Sequence, residues 1–345
     1  MALAFAAETA RYGVRITVIE GRRPGPTADK GGLRGIGPRA GTVFRAAVGA
    51  SAVAFPAHRE PALPGAVGTG LASPDSPNRP QEGPAMLTDR QRHEAAELLR
   101  SAEHGVTPIA PLTEAFPGIG TEDAYEIQLV NIRHRLAAGA EVRGHKVGLS
   151  SPVMQRMMGV DEPDYGHLLH DMRLRPDVPV PGVRYCHPRV EVEVGFVLGD
   201  DLPGSACTPA DVLAATERVV PALELIDSRI RDWRITIADT IADNASSAGY
   251  VIGEGRDPRE LDLKAIDARL TSDGELLAEG RSDAVLGDPT VSVAWLARTV
   301  ARFGVPLKKG HVVLPGSCTR AVDVAAGATF TAEFTGLGSV SLSFI

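Results

Sequence analysis

The sequence predicts an α+β fold, with helices in an N-terminal part and strands making up a C-terminal body. Two observations lead there. Apolar residues recur at helical spacing between residues 87 and 137, and from about residue 145 short β-rich runs alternate with Gly, Pro and Asp turns. No internal repeat or heptad array competes with that reading.

The first 85 residues differ in texture from the rest. After a strand-like run, Val14 to Ile19, the text turns to Gly, Pro, Ala and Arg, as in "ALPGAVGTGLASPDSPNRPQEGPAM". So few periodic apolar positions cannot offset the entropy of ordering, and residues 45–85 read as a disordered linker.

At Met86 the character changes. In "LTDRQRHEAAELLRSAEHG", Thr88 and Gln91 have capping-box spacing, Leu98 and Leu99 mark an apolar face, and Gly105 supplies a stop. In "TEDAYEIQLVNIRHRLAAGA", Tyr125, Leu129, Ile132 and Leu136 share one side of a second helix, with Thr121 as its N-cap. The strands follow as "RVEVEVGFVL", "VVPALELID", "AGYVIG", "HVVLPG" and "TFTAEFTGLGSVSLSFI", with a helical "PTVSVAWLARTVARFG" among them.

Composition narrows the function. The 345 residues are 43% hydrophobic and carry a formal charge of -7, which suits a globular protein and argues against nucleic acid or an anionic membrane as partner. A small molecule fits better. No apolar run reaches the length of a membrane span, and "MALAFAAETARYG" lacks the basic start of an export signal. Cys186, Cys207 and Cys318 are odd in number and form no CxxC, so they read as buried free thiols in a reducing cytoplasm. Trp233 and Trp295 read as packing anchors.

The chemistry gathers in "HPRVEVEVGF". Glu191 and Glu193 point to one face of a strand while Val190, Val192 and Val194 point to the other. Like charges this close weaken a half-buried strand unless something positive lies between them. Glu224, between Leu223 and Leu225, offers a third carboxylate, and three would suit a hard divalent ion. The competing reading pairs these glutamates with Arg189, Arg218 or Arg229. Lys146 in "EVRGHKVGLSS" is either a proton carrier, its pKa lowered by burial and a nearby cation, or an exposed lysine after a helix. Asp164 in "VDEPDYGHLLHDM" either holds an acid at a cleft or completes an Asx-turn. His167 and His170 are three apart without a third soft ligand, so they read as packing or surface residues.

Taken together, "GHKVGLSSPVMQRMMGVDEPDYGHLLHDM", "HPRVEVEVGFVLGDDLP", "VVPALELIDSRIRDWRITIADTIADNASSAGYVIG" and "VLPGSCTRAV" resemble the 2-keto-4-pentenoate (2-hydroxypenta-2,4-dienoate) hydratase family, of fumarylacetoacetate-hydrolase-like fold. The resemblance runs from about residue 87 to the C-terminus and implies a hydratase domain over 86–345 with a curved, mostly antiparallel sheet. It implies Mg²⁺ or Mn²⁺ on Glu191, Glu193 and Glu224, Lys146 and Asp164 as catalytic residues, and Asp227 as a further polar residue of the site. Ser150, with backbone N–H groups nearby such as that of Leu149, is expected to hold the substrate carboxylate. A homo-oligomer follows from the same resemblance, and association with the pathway aldolase downstream is a further expectation. The nearest rival is 4-oxalocrotonate decarboxylase, which would need an arginine such as Arg189 or Arg143 for a second carboxylate.

Residues 1–44 resemble part of the FAD-binding region of flavoprotein aromatic hydroxylases, with Glu20 ending a strand. The phosphate-cradling G-x-G-x-x-G that should precede the helix is absent, so this stretch reads as a truncated, non-functional fragment and no FAD is expected. Met86 then reads as the natural first residue.

Overall fold

The computed structural model describes residues 86–345, which belong to one compact unit. The expected flavoprotein-like fragment and linker lie outside the described residues.

Helix α1 (Asp89–Gly105) begins as its sequence dictates. Thr88 caps the backbone N–H of Gln91, whose side chain returns to the backbone of Thr88. Its end differs from expectation, because Val106, not Gly105, takes the left-handed cap at φ 47°. Leu98 also falls outside the apolar face, which Ala95, Ala96, Leu99 and Ala102 make instead. Helix α2 (Thr121–Ala137) is capped at Gly120, one residue before the expected Thr121. Tyr125, Leu129 and Ile132 are buried as the spacing requires, while Leu136 lies exposed at the frayed end. Asp123 joins the two helices by accepting from the Leu87 N–H and the Arg92 guanidinium.

The body is a curved sheet with strand order β2-β1-β8-β3-β4-β5, in which β9 also pairs with β3. These strands are β1 (Val142–Gly148), β2 (Asp164–Leu169), β3 (Arg189–Leu198), β4 (Thr216–Ile226), β5 (Ser247–Ile252), β8 (Val312–Leu314) and β9 (Val322–Asp323). Every ladder in it is antiparallel except β1 with β8. A smaller antiparallel sheet, order β11-β10-β6-β7, packs against β3 and β4. It comprises β6 (Asp267–Ser272), β7 (Glu275–Arg281), β10 (Thr329–Phe334) and β11 (Gly338–Ser343). The β6–β7 hairpin turns at Asp273 and Gly274, with φ of 50° and 83° as a type I′ turn demands. Helices α3 (Ile237–Ala242) and α4 (Pro289–Ala301) complete the elements that matter here.

This coverage corrects one expectation about β3. The strand is buried on both faces from Val192 onward, so the glutamate face is turned inward rather than toward solvent. Val190, Val192 and Val194 join the main core, and Glu193 is as fully enclosed as they are.

Candidate metal centre and active site

Strand register assembles the carboxylates. Glu191 and Glu193 lie on one face of β3, and Glu224 of β4 stands directly opposite Glu191 in the ladder. One oxygen from each of the three falls within 4.8 Å of the others. Glu193 and Glu224 are buried and Glu191 half-buried, yet Glu193 Oε1 and both Glu224 oxygens have no hydrogen-bond partner. Unpartnered carboxylates in a protein interior cost several kcal/mol each unless a cation or proton joins them. The arginines of the competing reading are taken elsewhere: Arg189 by Asp323, Arg218 by Glu217 and Arg229 by Asp243. An all-oxygen set of three carboxylates fits a hard divalent cation.

Lys146 is a buried residue of β1, not an exposed lysine after a helix. Its ammonium donates to the Ala245 carbonyl at 2.9 Å and lies 3.5 Å from Glu224 Oε2. Asp164 opens β2 opposite Gly148 and is buried with both oxygens unpartnered, so it makes no Asx-turn. Gly148 makes room for both groups. A Cβ there would stand 2.1 Å from Asp164 Oδ1 and 3.5 Å from Lys146 Nζ.

Electrostatics follow from this crowding. Burial raises the pKa of Glu193 well above the carboxylate range, and Glu224 and Glu191 push it further. Burial carries Glu224 up to about 7 against the pull of Lys146. Glu191 and Asp164 are raised by burial as well. Lys146 departs from the lowered pKa expected of it. Burial acts to lower the value, but Glu224, Glu191, Asp164 and Glu193 outweigh burial and hold the ammonium above the usual lysine range.

Leu149 and Ser150, expected to hold the substrate carboxylate, lie in a turn after β1. Leu149 takes a left-handed φ of 52°, its carbonyl accepts from Gln155 Nε2, and Ser150 is buried beneath it. Sequence reasoning did not single out Gly316, which joins this turn to the glutamates. The Gly316 N–H donates to Glu193 Oε2 at 2.7 Å, and a Cβ on Gly316 would stand 1.8 Å from Ser150 Oγ. The Pro-Gly pair in "VLPGSC" was the available signal.

Asp227 is not brought to this cluster as a free acid. Its two oxygens accept from the backbone N–H groups of Cys186 and His187, so it anchors the segment leading into β3. His167 lies buried on β2 with Nδ1 against Gln128 Oε1, and His170 lies exposed in the turn that follows. Cys207 and Cys318 are buried free thiols as expected, but Cys186 is only half-buried. Trp295 packs on the core, whereas Trp233 lies under the Arg189 guanidinium at 4.5 Å and donates to the His187 carbonyl.

Residues 167–344 match the fumarylacetoacetate (FAA) hydrolase C-terminal family. A 2-keto-4-pentenoate hydratase of Paraburkholderia xenovorans (strain LB400) is 44% identical over 259 residues, covering 75% of this chain and 96% of that one. A 2-hydroxyhexa-2,4-dienoate hydratase of Comamonas testosteroni is 42% identical over 262 residues, covering 75% and 98%. Among solved structures, 4-oxalocrotonate decarboxylase from Pseudomonas putida G7, complexed with magnesium and adipate, superposes with a TM-score of 0.72 at 36% identity. That match covers 75% of this chain and 99% of the other.

Proposed function

The chain belongs to the fumarylacetoacetate hydrolase family, and from that premise we propose that it is a metal-dependent hydro-lyase of the 2-keto-4-pentenoate hydratase type. It adds water to 2-hydroxypenta-2,4-dienoate or an alkyl homologue, giving 4-hydroxy-2-oxopentanoate or its homologue, in the catabolism of aromatic compounds by meta-cleavage. The observation that carries this reading is the cluster of Glu191, Glu193 and Glu224, with Lys146 3.5 Å from Glu224 and meeting Asp164 over Gly148.

A divalent cation on Glu191, Glu193 and Glu224, with Mg²⁺ or Mn²⁺ preferred, supplies Lewis-acid stabilisation of negative charge on the substrate's C2 oxygen. The chain's own residues handle the protons. Loss of the C2 hydroxyl proton and gain of one at C5 turn the dienol into a 2-oxo-3-enoate, whose C4 is electrophilic. Asp164, which burial favours in its neutral form, is suited to deliver the C5 proton. Lys146, fixed by Ala245 and Glu224, holds its proton where charge builds on the enolate. Water then adds at C4 and a proton returns to C3, so the net change is one water gained. Ser150 and the backbone at Leu149 hold the substrate carboxylate, and the Gly316 loop covers them.

The decarboxylase reading is weaker because its two candidate arginines are engaged. Arg189 is bonded to Asp323 at 2.7 Å, and Arg143 is exposed beside Glu141. Among the described residues no helix is long and apolar enough to cross a membrane. A cytoplasmic homo-oligomer is the working assignment, and the 4-hydroxy-2-oxo product is a substrate for aldol cleavage, which makes an aldolase its natural associate.

The test is ultraviolet loss of the dienoate chromophore with Mg²⁺, Mn²⁺ or EDTA, followed by mass analysis of the product. Metal-dependent loss with gain of one water is expected. CO₂ release from 4-oxalocrotonate without hydration would move the assignment to the decarboxylase, and silence in both assays would remove the chemistry given to the glutamates.

A further inference from the structure

The carbonyl that fixes Lys146 belongs to an unusual piece of backbone. Asn244, Ala245 and Ser246 take left-handed φ values of 55°, 50° and 56° in succession, and none is glycine. Such conformations are unfavourable for L-residues and persist only where the surroundings over-determine them.

The surroundings are a buried ion pair and the bonds radiating from it. Asp243, immediately before the turn, accepts from Arg229 Nε at 2.5 Å and from the Arg229 backbone N–H at 2.9 Å. The same guanidinium donates to the carbonyls of Asp243 at 2.5 Å, Asp227 at 2.8 Å and Ser247 at 3.3 Å. It therefore grips the chain on both sides of the turn. The Asp227 N–H closes the frame on the Ser246 carbonyl at 2.8 Å. On the far side, Asn244 exchanges two side-chain bonds with the backbone of His167, at 2.7 and 3.0 Å. Gly166 makes room for that approach, since a Cβ there would stand 2.3 Å from the Asn244 carbonyl oxygen.

We propose that Arg229 and Asp243 are positioning residues for Lys146. Their pairing holds the left-handed turn 244–246, and the turn aims the Ala245 carbonyl that fixes the Lys146 ammonium over the site. Neither residue touches the glutamates, so the pair acts on the proton-handling side and leaves metal binding alone. This inference deepens the hydratase reading and rests on it only for its kinetic arm.

Arg229→Lys tests it, because a lysine keeps a cation beside Asp243 but has no fork to reach carbonyls on both sides of the turn. In the folded variant kcat for hydration is expected to fall roughly a hundredfold, the scale at which small misplacements act. KM and Mn²⁺ affinity, read by electron paramagnetic resonance, are expected to hold. Adding Lys146→Ala to Arg229→Lys should cost far less than it costs in the wild type, because the lysine is already misplaced. Asp243→Asn, which keeps an acceptor in place, is the milder variant should Arg229→Lys not fold.

A second readout does not need turnover. Reductive methylation of Lys146, followed by peptide mass spectrometry, is expected to run several-fold faster in either variant. A folded variant with wild-type kcat and wild-type methylation would overturn the proposal, as would equal losses from Lys146→Ala in both backgrounds. If the wild type hydrates nothing but the variant still methylates faster, the hydratase reading fails and the positioning role stands.

Discussion

Lys146 Nζ and Glu224 Oε2 lie 3.5 Å apart although β8 and β3 stand between their strands. Flat sheet spacing of about 4.8 Å per strand would separate β1 from β4 by roughly three such steps. The two side chains meet because the sheet curls and both reach into its concave side. A buried ammonium and a buried carboxylate can therefore be paired from strands that share no hydrogen bond.

Lys146→Ala follows directly from that meeting. Turnover of 2-hydroxypenta-2,4-dienoate is expected to fall by about two orders of magnitude or more. Mn²⁺ affinity should stay largely intact, because the three glutamates keep their places. A variant with wild-type turnover would remove Lys146 from the mechanism.

Glu193→Gln separates the cost of the cluster from its use. Glu193 Oε1 is buried without a partner, so a neutral amide is expected to raise the melting temperature of the metal-free protein. The rise in melting temperature on adding Mn²⁺ should shrink at the same time, with affinity lost by roughly tenfold or more. Paired melts with EDTA and with Mn²⁺ read both effects, and two shifts of the same sign would contradict the assignment.

Gly316→Ala should be harmful at a position with no side chain to lose. The backbone there has φ 124° and no space for a Cβ beside Ser150 Oγ. Denaturant unfolding is expected to show a loss of about 1–3 kcal/mol. Activity should fall further than stability does, because the same loop donates to Glu193 and packs against Ser150. Unchanged KM and kcat would show that the loop is not part of the site.

The metal-free protein should respond to pH in two opposing ways. Glu193, Glu224 and Asp164 have pKa values raised by burial, Glu224 to about 7, so they bind more protons folded than unfolded. Their contribution to stability is present at low pH and is lost as pH rises through the folded value. Burial shifts the histidines the other way, His167 to about 4 and His145 well down, so their contribution is lost as pH falls. The melting temperature in EDTA should decline as pH rises through Glu224's value of about 7 toward pH 8, and the gain on adding Mg²⁺ or Mn²⁺ should be larger at the higher pH. A metal-free melting temperature that climbs steadily to pH 8 would count against uncompensated glutamates.

Much of this was legible in the sequence because short-range rules carried it. The capping box at Thr88 and the alternation in "RVEVEVGF" placed α1 and β3 without tertiary information. Leu98 and Leu136 misled because neighbouring positions on a helix differ by packing, which periodicity alone does not resolve. Glu224 could be suspected from its apolar flanks, but its register opposite Glu191 is a property of the ladder. The turn at 244–246 was invisible, since left-handed backbone is ordinarily announced by glycine and here is enforced by Arg229 from outside the segment. Asp227 was singled out through resemblance, whereas its bonds to Cys186 and His187 join residues some forty positions apart and belong to the folded chain.

The three-residue strand β8 has a consequence for how the protein comes into being. It is the slat between β1 and β3, pairing parallel with one and antiparallel with the other. During synthesis the lysine, the aspartate and all three glutamates emerge more than eighty residues before Val312 does. Until those last 34 of the 345 residues arrive, the two halves of the sheet have nothing between them, and Gly316 is not yet there to bond Glu193. These five side chains are therefore made early and joined late, so a ribosome-bound or C-terminally shortened chain should hold all of them and is expected still to bind metal poorly.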